Sequence, residues 1–449
     1  MNIDLENKKV LILGFSLSGK AVARYLSGKC QQVFITEARE QKPEDEKELK
    51  ELNELGVKTE FGGHSEEFTS NVDIAVVSPS FPLDNDLYIK LKNEGVDIIS
   101  EPDLAFLESE TPFISITGTN GKTTTTALVS HILSTQYKAP ACGNIGKPPI
   151  ALVNNNPDYF VCEISSYQAE HSKYLQSKIA CWTNFTPDHI TWHKTLDNYF
   201  NAKAKLFEVN DLEFAILNGN DDKLLEFAQS GKCKGKIFLF DMETDNSSYI
   251  KNNSIYYKQN GKEEKIIELK KCSLVGHHNY QNIMCGVIIG KLLGITNDNL
   301  KSSIMSFKAP EHRLEKVREF DGITFYNDSK ATNPEASIVA IDSFNNEDVA
   351  LIAGGRDKLT DLGEFCTSVM KHIKTVILIG EATERFEKNL KDKGFCNIIK
   401  EETMESAIDK SIELHPDVVL LSPACASFDM FKGYEERGKV FKDYVLSKK

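Results

Sequence analysis

The sequence lacks the features that mark membrane and secreted proteins. No run of about 18 apolar residues occurs in its 449 residues, so it offers no transmembrane helix. The opening stretch, MNIDLENKKV, has no apolar core of a secretory signal. The ten cysteines are scattered and none has CxxC spacing, which predicts reduced and mostly buried thiols. We therefore expect a cytoplasmic protein.

Acidic residues outnumber basic ones. Lysine and arginine number 53 against 66 acidic residues, which gives a formal net charge of −13. This balance argues against binding to nucleic acid or to an anionic membrane, since both usually need a basic face. A phosphorylated substrate is still allowed, because a few lysines and helix N-termini can hold phosphate. Nothing in the pattern indicates an oligomer, and we expect a monomer.

Three stretches begin with a short apolar strand that runs into a glycine-rich turn. They are Lys9–Phe15, Pro112–Thr126 and Val349–Arg356. Such strands, alternating with helical segments, are typical of buried parallel sheets in α/β proteins. At about 150 residues per domain, the length suits three domains. We predict a Rossmann-like domain over 1–99, a central P-loop ATPase-like α/β domain over 100–308 and a Rossmann-like C-terminal domain over 309–449.

Several segments between these strands carry local predictions. A helix is expected around Lys20–Leu26, and a short strand over Cys181–Asn184. The polar stretch Ser100–Thr111 is predicted to be a connector between the first two domains. The polar region Asp241–Leu269, with its Asn-Gly and Asn-Asn turns, predicts surface hairpins. Apolar strands are expected at Thr375–Ile379 and Val418–Leu421.

The strongest single motif is a glycine-rich loop between a strand and a helix. Its glycines let backbone N–H groups face phosphate oxygens, Lys122 can reach the outer phosphates, and Thr123 can offer its hydroxyl to Mg²⁺. Ile116 stands where the common P-loop has its first glycine, so this loop is a shorter variant. An ordinary strand–helix turn is the alternative. The predicted ATP-binding loop residues are Gly118, Thr119, Asn120, Gly121, Lys122, Thr123 and Thr124.

The loop GTNGKTTT resembles the nucleotide loop of the Mur ligases and of folylpolyglutamate synthase. Further Mur ligase motifs follow in family order, and together they cover essentially the whole chain. They are Gly143–Gly146, Glu163–Gln168, Asn184–His189, Tyr199–Lys203, Gly276–Asn279, Glu311–Arg313, Asn327–Asn333 and Ser422–Ser427. The last two, with Asp429–Gly438, look like the D-glutamate-adding members of the family.

The resemblance implies a reaction and its substrates. In this family ATP phosphorylates a substrate carboxylate, and an incoming amine attacks the acyl phosphate, releasing phosphate. We therefore expect ATP, D-glutamate and UDP-N-acetylmuramoyl-L-alanine as substrates, in peptidoglycan precursor synthesis. Two anions must approach each other, which requires divalent metal and cationic side chains. Two Mg²⁺ sites are expected.

The resemblance also implies metal ligands and catalytic residues. Glu163, directly after the apolar run Tyr159–Cys162, lies where a strand ends, as α/β sites do; a surface acid is the alternative. With Thr123 it would hold the first Mg²⁺, while His189 would serve the second, with His193 and Asp188 as local competitors. Lys203, rather than Lys205, matches a lysine that CO₂ carbamylates. The implied metal ligands are Thr123, Glu163, His189 and Lys203, and the implied catalytic residues are Lys122, His189, Lys203 and Lys330.

The remaining site residues are implied by their positions in the family motifs. Turns and helix caps are the ordinary alternative for most of them. For the nucleotide they are Asn279, Asn282, Arg313 and Asp328. For the uridine diphosphate they are Leu17, Ser18, Glu37, Arg39 and Ser78, and for the muramoyl-peptide Asn144, Ser165 and Gln168. For D-glutamate they are Thr332, Lys358, Ser427, Phe428 and Tyr434, where the family often has phenylalanine in place of this tyrosine.

Three other functions fit part of the sequence. Another ligase of the family would add L-alanine, a diamino acid or a dipeptide, but Asp328–Asn333 takes the place of the diamino-acid ligase's DNPR-type segment. Folylpolyglutamate synthase lacks a uridine-binding first domain, whereas this chain has Lys9–Ser80 ahead of the ATP loop. A nicotinamide-dependent oxidoreductase would use Gly14–Gly19, yet that loop lacks the middle glycine of the dinucleotide fingerprint. A non-catalytic nucleotide-binding regulator would need gaps in the site, and there is none at Lys122, Glu163, His189 or Lys203.

Overall fold

The computed structural model describes residues 4–344 and 347–448. The chain forms two compact units, one made of residues 1–271 and 281–305, the other of residues 272–280 and 306–449. In the part that is described, no helix is both long and apolar enough to cross a membrane. All ten cysteines lie in the described part of the chain, where none forms a disulfide, and seven are buried, as the scattered spacing predicts.

The first sheet of the larger unit has five parallel strands in the order β3-β2-β1-β4-β5. The central strand is buried along most of its length, because its apolar side chains are covered on both faces. The strands are β1 (Lys9–Leu13), β2 (Gln32–Glu37), β3 (Lys58–Phe61), β4 (Ile74–Val77) and β5 (Asp97–Ser100). The helices are α1 (Leu17–Leu26), α2 (Glu46–Glu54), α3 (Glu66–Thr69), α4 (Asp86–Asn93) and α5 (Glu101–Leu107), with a 3₁₀ turn at Pro43–Asp45.

Helix α1 begins three residues before the predicted Lys20. Ser16 caps it by accepting a hydrogen bond from the Gly19 N–H, so the glycine-rich turn itself becomes the first helical turn. Strand β1 lies between β2 and β4, and the connections from β1 and β4 therefore lead to opposite sides of the sheet. A crevice at such a switch point is where α/β proteins bind ligands.

The second sheet has nine strands in the order β14-β13-β12-β11-β10-β9-β6-β8-β7. They are β6 (Phe113–Thr117), β7 (Ala141–Gly143), β8 (Phe160–Glu163), β9 (Ser177–Trp182), β10 (Phe214–Asn218), β11 (Lys236–Phe240), β12 (Ser247–Lys251), β13 (Ser254–Gln259) and β14 (Lys262–Glu268). The α-helices are α6 (Lys122–Leu133), α7 (Ser166–His171), α8 (Ile190–His193), α9 (Leu196–Ala204), α10 (Asp222–Gln229), α11 (His277–Leu292) and α12 (Asn297–Ser306). Short 3₁₀ turns occupy Pro149–Asn155, Lys205–Phe207 and Leu269–Lys271.

The antiparallel strands β12–β14 confirm the hairpins predicted over Asp241–Leu269, and they extend this sheet at one edge. The strand predicted at Cys181–Asn184 starts and ends earlier in the chain, at Ser177 and Trp182. Strand β9 ends at Trp182, because Thr183 and Asn184 turn away to hydrogen-bond the loop after β6.

The connector predicted over Ser100–Thr111 is wrong, because most of this stretch is the buried helix α5. Ser100 and Asp103 form a capping box, and Pro102 occupies the first turn. The Asp103 carboxylate accepts six hydrogen bonds, from the N–H and hydroxyl of Ser100, the Ser172 hydroxyl and the N–H groups of Lys173, Tyr174 and Leu175. A buried acid is stable here because its oxygens are fully hydrogen-bonded.

Glu101, beside Asp103, predicts a pH-dependent stability. Burial raises the pKa of its carboxyl from 4.5 to about 8, and only the Ile150 N–H donates to it in the described structure. The folded protein therefore keeps a proton that the unfolded chain releases. The resulting stability is full below about pH 4.5 and is lost as the pH rises through about 8. We expect the wild type to lose on the order of 3 kcal/mol relative to Glu101→Gln across this range.

Urea unfolding of both proteins at several pH values between about 5 and 8.5 checks this expectation. The difference between the two free energies of unfolding isolates Glu101 from the other titrating groups. Parallel curves would show that Glu101 is ionised in the folded protein.

The smaller unit contains the third sheet, in the order β15-β16-β20-β17-β18-β19 with β15 antiparallel. Its strands are β15 (Glu315–Phe320), β16 (Ile323–Asn327), β17 (Val349–Gly354), β18 (Thr375–Ile379), β19 (Ile398–Lys400) and β20 (Val418–Leu421). Its helices are α13 (Pro334–Ile341), α14 (Gly363–His372), α15 (Thr383–Asp392), α16 (Met404–Glu413) and α17 (Tyr434–Ser447). The predicted strands β18 and β20 have the expected bounds, and the α/β class is confirmed.

Candidate active site

The glycine-rich loop joins β6 to α6 at the carboxyl edge of the second sheet. Gly118 and Gly121 have φ of 143° and 81°, a region that side chains disfavour. A Cβ atom on Gly118 would lie 1.9 Å from Thr183 Oγ1, and one on Gly121 would lie 2.7 Å from Asn282 Oδ1. Both glycines are therefore required by conformation and by space.

A polar turn after β9 holds this loop in place. Asn184 accepts hydrogen bonds from the Thr119 N–H at 3.0 Å and the Asn120 N–H at 2.8 Å, and its amide donates to the Asn120 carbonyl. Asn282 accepts from the Thr125 hydroxyl at 3.0 Å, beside Gly121. Asn184 lies inside a recognised motif, but sequence reasoning did not name it as a site residue.

Two lysines converge on the carbonyl groups of the loop. Lys122 Nζ lies 2.9 Å from the Gly118 oxygen and 2.7 Å from the Thr119 oxygen. Lys203, on α9, donates to the same Gly118 oxygen at 2.8 Å and is about 1% exposed. Thr123 and Thr124 lie in the first turn of α6, with Thr124 buried. Two lysine amino groups therefore bind the loop where an anionic ligand would enter.

Lys203 is an unusual lysine. Besides the Gly118 carbonyl, its Nζ lies near the Thr117 hydroxyl and the Tyr199 ring. In the described structure no carboxylate oxygen lies within 4 Å of this nitrogen. Burial, followed by the charge of Lys122, lowers its pKa well below the ordinary value, while Asp188 and Glu163 act in the opposite sense. Lys205, by contrast, is 43% exposed and binds the Glu170 carbonyl. The structure thus places Lys203, and not Lys205, at the loop.

Glu163 ends strand β8, beside β6. Its Oε1 accepts a hydrogen bond from the Asn144 amide at 2.9 Å, and its Oε2 is buried without a hydrogen-bond partner in the described residues. A carboxylate oxygen of this kind is satisfied by a cation. No group of three or more His, Cys, Asp or Glu forms a metal cage in the described part of the chain. Mg²⁺ needs no such cage, since it takes one or two protein oxygens together with phosphates and waters, and Glu163 fits it.

His189 and His193 lie in very different surroundings. The His189 side chain is 39% exposed, and its Nδ1 lies 3.0 Å from the Tyr167 hydroxyl. Burial lowers its pKa, and the charges of Lys122 and Lys203 lower it further. His193 is buried, with Nε2 3.0 Å from the Ser166 hydroxyl and Nδ1 near Glu170. Of the two histidines, His189 is therefore the one exposed beside the lysines.

Ser165 and Gln168 form the capping box of α7. The Ser165 hydroxyl accepts from the Gln168 N–H at 3.2 Å, and Gln168 Oε1 accepts from the Ser165 N–H at 2.9 Å. Both residues are buried. Their side chains are committed to the helix end, which was the ordinary alternative to substrate binding.

Residues predicted for the uridine diphosphate gather at the carboxyl edge of the first sheet. Glu37 accepts a hydrogen bond from the Phe15 N–H at 2.8 Å, and Ser78 contacts the Ser16 hydroxyl at 2.8 Å. Leu17 is 62% exposed, and Ser18 follows it in the first turn of α1. The Arg39 guanidinium is committed to a bidentate pair with Asp45 on its own loop.

In the smaller unit, Asp328 is turned inwards. It accepts hydrogen bonds from the Ser422 hydroxyl at 2.8 Å and the Leu314 N–H at 3.1 Å, and burial raises its pKa to about 7. Arg313 acts on this carboxyl through its charge. Lys330, two residues after Asp328, lies over the Tyr434 ring with Nζ 5.2 Å from its centre. Asn279 caps a turn by donating to the Val275 carbonyl.

The residues predicted for D-glutamate lie on loops at the carboxyl edge of the third sheet. Lys358 donates to the Thr332 carbonyl at 3.0 Å, which joins the loops after β17 and β16. Ser427 is buried on the loop after β20, and Phe428 beside it is 67% exposed. Tyr434 begins α17. The residues predicted for D-glutamate thus follow strands of one sheet.

Arg437 holds two loops of the predicted site together, but the sequence motifs did not identify it. It is about 1% exposed and donates to the hydroxyl and carbonyl of Ser329 and to the carbonyls of Cys425 and Ala426. It therefore ties the Lys330 loop to the Ser427 loop. The only signal in the sequence was its place in the stretch Asp429–Gly438.

Comparison with known proteins agrees with this geometry. Three family models match the chain, described as the Mur ligase MurD-like N-terminal domain over residues 8–100, the Mur ligase middle domain over 116–290 and the Mur ligase glutamate ligase domain over 312–425. The chain is 38% identical to the UDP-N-acetylmuramoylalanine--D-glutamate ligase of Thermoanaerobacter sp. (strain X514) and 37% identical to that of Clostridioides difficile (strain 630). Each alignment covers 99% of both proteins.

Solved structures share the fold. UDP-N-acetylmuramate-alanine ligase MurC from Thermotoga maritima superposes with a TM-score of 0.58 at 18% identity, covering 99% of this chain and 100% of that one. MurF from Acinetobacter baumannii superposes with a TM-score of 0.61 at 15% identity, covering 96% and 93%. The three matched domains and the full-length relatives show that the chain belongs to the Mur ligase family.

Proposed function

We propose that the chain is an ATP-dependent ligase that adds D-glutamate to UDP-N-acetylmuramoyl-L-alanine in peptidoglycan precursor synthesis. Cell wall biogenesis, cell shape and cell division would depend on this product. The observation that carries the chemistry is that Lys122 and Lys203 both donate to the Gly118 carbonyl of the glycine-rich loop, while the charge of Glu163 acts on Lys203. The names of the full-length relatives select the D-glutamate-adding member of the family.

The proposed reaction has two steps. A carboxylate oxygen of UDP-N-acetylmuramoyl-L-alanine attacks the γ-phosphorus of ATP, the bond to the β-phosphate oxygen breaks, and ADP leaves. The D-glutamate amine then attacks the carbonyl carbon of the acyl phosphate, phosphate leaves with the electron pair of the C–O bond, and the nitrogen loses a proton. Each step brings negative charge together, so cationic side chains stabilise both transition states.

The proposed roles follow from position. Lys122 would exchange its loop carbonyls for the outer phosphates of ATP, and Lys330 would face the transferred phosphoryl group. Asn279, Asn282, Arg313 and Asp328 would surround the nucleoside. Asn144, Ser165, Gln168 and His189 would lie along the muramoyl-peptide. The D-glutamate carboxylates would be held by Lys358, Thr332, Ser427, Phe428 and Tyr434.

Mg²⁺ fits this site. Thr123 and Glu163 would hold one ion, and His189 and Lys203 a second. Bound Mg²⁺ offsets the repulsion between the triphosphate and the substrate carboxylate. For Lys203 to serve as a ligand, its amine would form a bond to the carbon of CO₂ and lose a proton, giving an anionic carbamate. The buried position and lowered pKa favour the neutral amine that this reaction needs.

The proposed domains divide the work. Residues 1–99 would bind the uridine diphosphate, residues 100–308 ATP, and residues 309–449 D-glutamate, with the last closing over the nucleotide. We further propose that the enzyme acts as a monomer in the cytoplasm, without nucleic acid or a membrane as partner.

Phosphate release tests the function directly. The pure protein is given ATP, Mg²⁺ and UDP-N-acetylmuramoyl-L-alanine with D-glutamate, L-glutamate, L-alanine, meso-diaminopimelate or L-lysine. Release with D-glutamate alone, and a product heavier by one glutamyl residue, is expected. Release with a different amino acid would keep the family and overturn the substrate, while no release with any of them would overturn the ligase activity.

A further inference from the structure

The loop that carries Lys358 has little regular structure of its own. Between the end of β17 at Gly354 and the start of α14 at Gly363, the loop forms one isolated β-bridge with the rest of the described structure, from Arg356 to Ala426. Leu359, next to Lys358, is 80% exposed and has a φ of 55°, so the loop gains little from apolar packing there. Something other than the loop itself must fix the position of Lys358.

Arg385 supplies that constraint from helix α15. Its Nε donates to Asp357 Oδ2 at 2.7 Å and its Nη2 to Asp357 Oδ1 at 2.8 Å, a bidentate pair. Its Nη1 donates to the Thr360 carbonyl at 3.0 Å. One guanidinium therefore grips the loop on both sides of Lys358. The Asp357 carboxylate also accepts from the Leu359 N–H at 2.9 Å, which closes the turn around the lysine.

The ion pair between Arg385 and Asp357 is partly buried. The Asp357 side chain is 13% exposed and that of Arg385 27%, so water screens it less than a surface pair. Arg385 stands in the first turn of α15, where the helix dipole disfavours a cation, and Asp357 offsets that cost. The hydrogen bonds from Arg385 also lower the pKa of Asp357, so the carboxylate stays ionised at neutral pH.

We propose that Arg385 is a positioning residue for D-glutamate, acting through Asp357 and Thr360 on Lys358. The inference rests on the proposed function, because Lys358 is the cation assigned there to the amino acid. Among the described residues, Arg385 donates its hydrogen bonds to Asp357 and Thr360 and to no residue predicted to bind substrate. Its planar fork reaches three acceptors at once, which a lysine ammonium cannot reproduce in the same geometry. The charge alone is therefore not sufficient for the role.

Arg385→Lys tests the proposal, because it keeps the charge and removes the fork. We expect the KM for D-glutamate to rise about 10- to 100-fold, because a small displacement of a group that positions the substrate weakens binding by about this factor. The KM values for ATP and for UDP-N-acetylmuramoyl-L-alanine should stay within about twofold, and kcat should fall less than the KM for D-glutamate rises. Steady-state phosphate release, varying one substrate at a time, measures all four quantities.

Arg318→Lys is the matched control. Arg318 lies in the same unit and donates to the carbonyls of Val445, Leu446 and Lys448 near the end of α17, away from the Lys358 loop. Its replacement should leave every KM unchanged. Asp357→Asn alone, and combined with Arg385→Lys, should raise the KM for D-glutamate to a similar level, because both substitutions break one connection.

The outcomes separate the two hypotheses. A wild type without D-glutamate-dependent phosphate release overturns the proposed function, and this inference with it. If the wild type is active, three results overturn the inference alone. They are a KM for D-glutamate that Arg385→Lys leaves unchanged, an equal rise in all KM values, and an effect on that KM that adds fully to the effect of Asp357→Asn. A selective rise in that KM, shared with Asp357→Asn and absent from Arg318→Lys, supports it.

Discussion

Replacing Lys203 by methionine is expected to lower kcat about 1000-fold or more without destabilising the protein. Cationic or metal-binding groups at a reacting phosphate contribute several kcal/mol to the transition state, and Lys203 lies on the loop that would hold that phosphate. Its nitrogen has no carboxylate partner within 4 Å in the described structure, so the protein pays for burying it. We therefore expect the free energy of unfolding to stay the same or to rise by about 1–2 kcal/mol.

Lys205→Met separates this effect from a general loss of charge. Lys205 begins the 3₁₀ turn that follows α9, but its ammonium is exposed and binds the Glu170 carbonyl instead of the loop. This variant should retain most of the wild-type kcat. Phosphate release and urea unfolding are measured on all three proteins. A Lys203→Met protein with more than about a tenth of the wild-type kcat would show that Lys203 is not required for catalysis.

The fold was largely predictable because its strands are short apolar runs followed by glycine. Strands β18 and β20 have the predicted bounds, since side chains buried on both faces leave an unbroken apolar stretch. The glycine-rich loop was predictable for a related reason. Gly118 and Gly121 have positive φ and no space for a Cβ atom, so few other residues could stand there.

The composition of Ser100–Thr111 does not by itself predict helix α5, because the stretch is polar at both ends and has only four consecutive apolar residues, Leu104–Leu107. Ser100, Pro102 and Asp103 are the signature of a helix start, and they precede the apolar residues of the helix. What the sequence could not show is that Asp103 accepts four hydrogen bonds from residues about 70 positions later. Those bonds make a buried acid favourable in a segment that composition alone places on the surface.

The site was predictable where side chains follow strands, and less so where they serve other loops. Lys122 begins the helix after β6 and Glu163 ends the neighbouring strand β8, so both follow from the strand pattern. Lys203 reaches the Gly118 carbonyl from helix α9, and only the family motif pointed to it. Arg437 and Arg385 hold loops by binding carbonyl groups or a distant acid, which leaves no local pattern in the sequence. Such residues can be found only when the packed structure shows which acceptors they reach.

Arg437→Met is expected to destabilise the smaller unit by about 4 kcal/mol and to abolish D-glutamate-dependent activity. The guanidinium is fully buried and donates to four neutral acceptors on two loops. Burial lowers its pKa to about 10, so it keeps its charge at neutral pH. Methionine would fill most of the volume but leave buried carbonyl groups of Ser329, Cys425 and Ala426 without this donor. Each such loss costs about 1–3 kcal/mol, and the costs overlap.

Arg24→Met provides the contrast, because Arg24 pairs with Glu51 on the surface and its loss should cost less than about 1 kcal/mol. Arg437→Lys should be intermediate, keeping the charge but reaching fewer acceptors. Thermal and urea unfolding give the stabilities, and D-glutamate-dependent phosphate release gives the activity. The loops that Arg437 joins carry Lys330 and Ser427, so their release from each other removes activity even in molecules that remain folded. If Arg437→Met were as stable and active as Arg24→Met, water must replace the guanidinium, and the two loops must hold their positions without it.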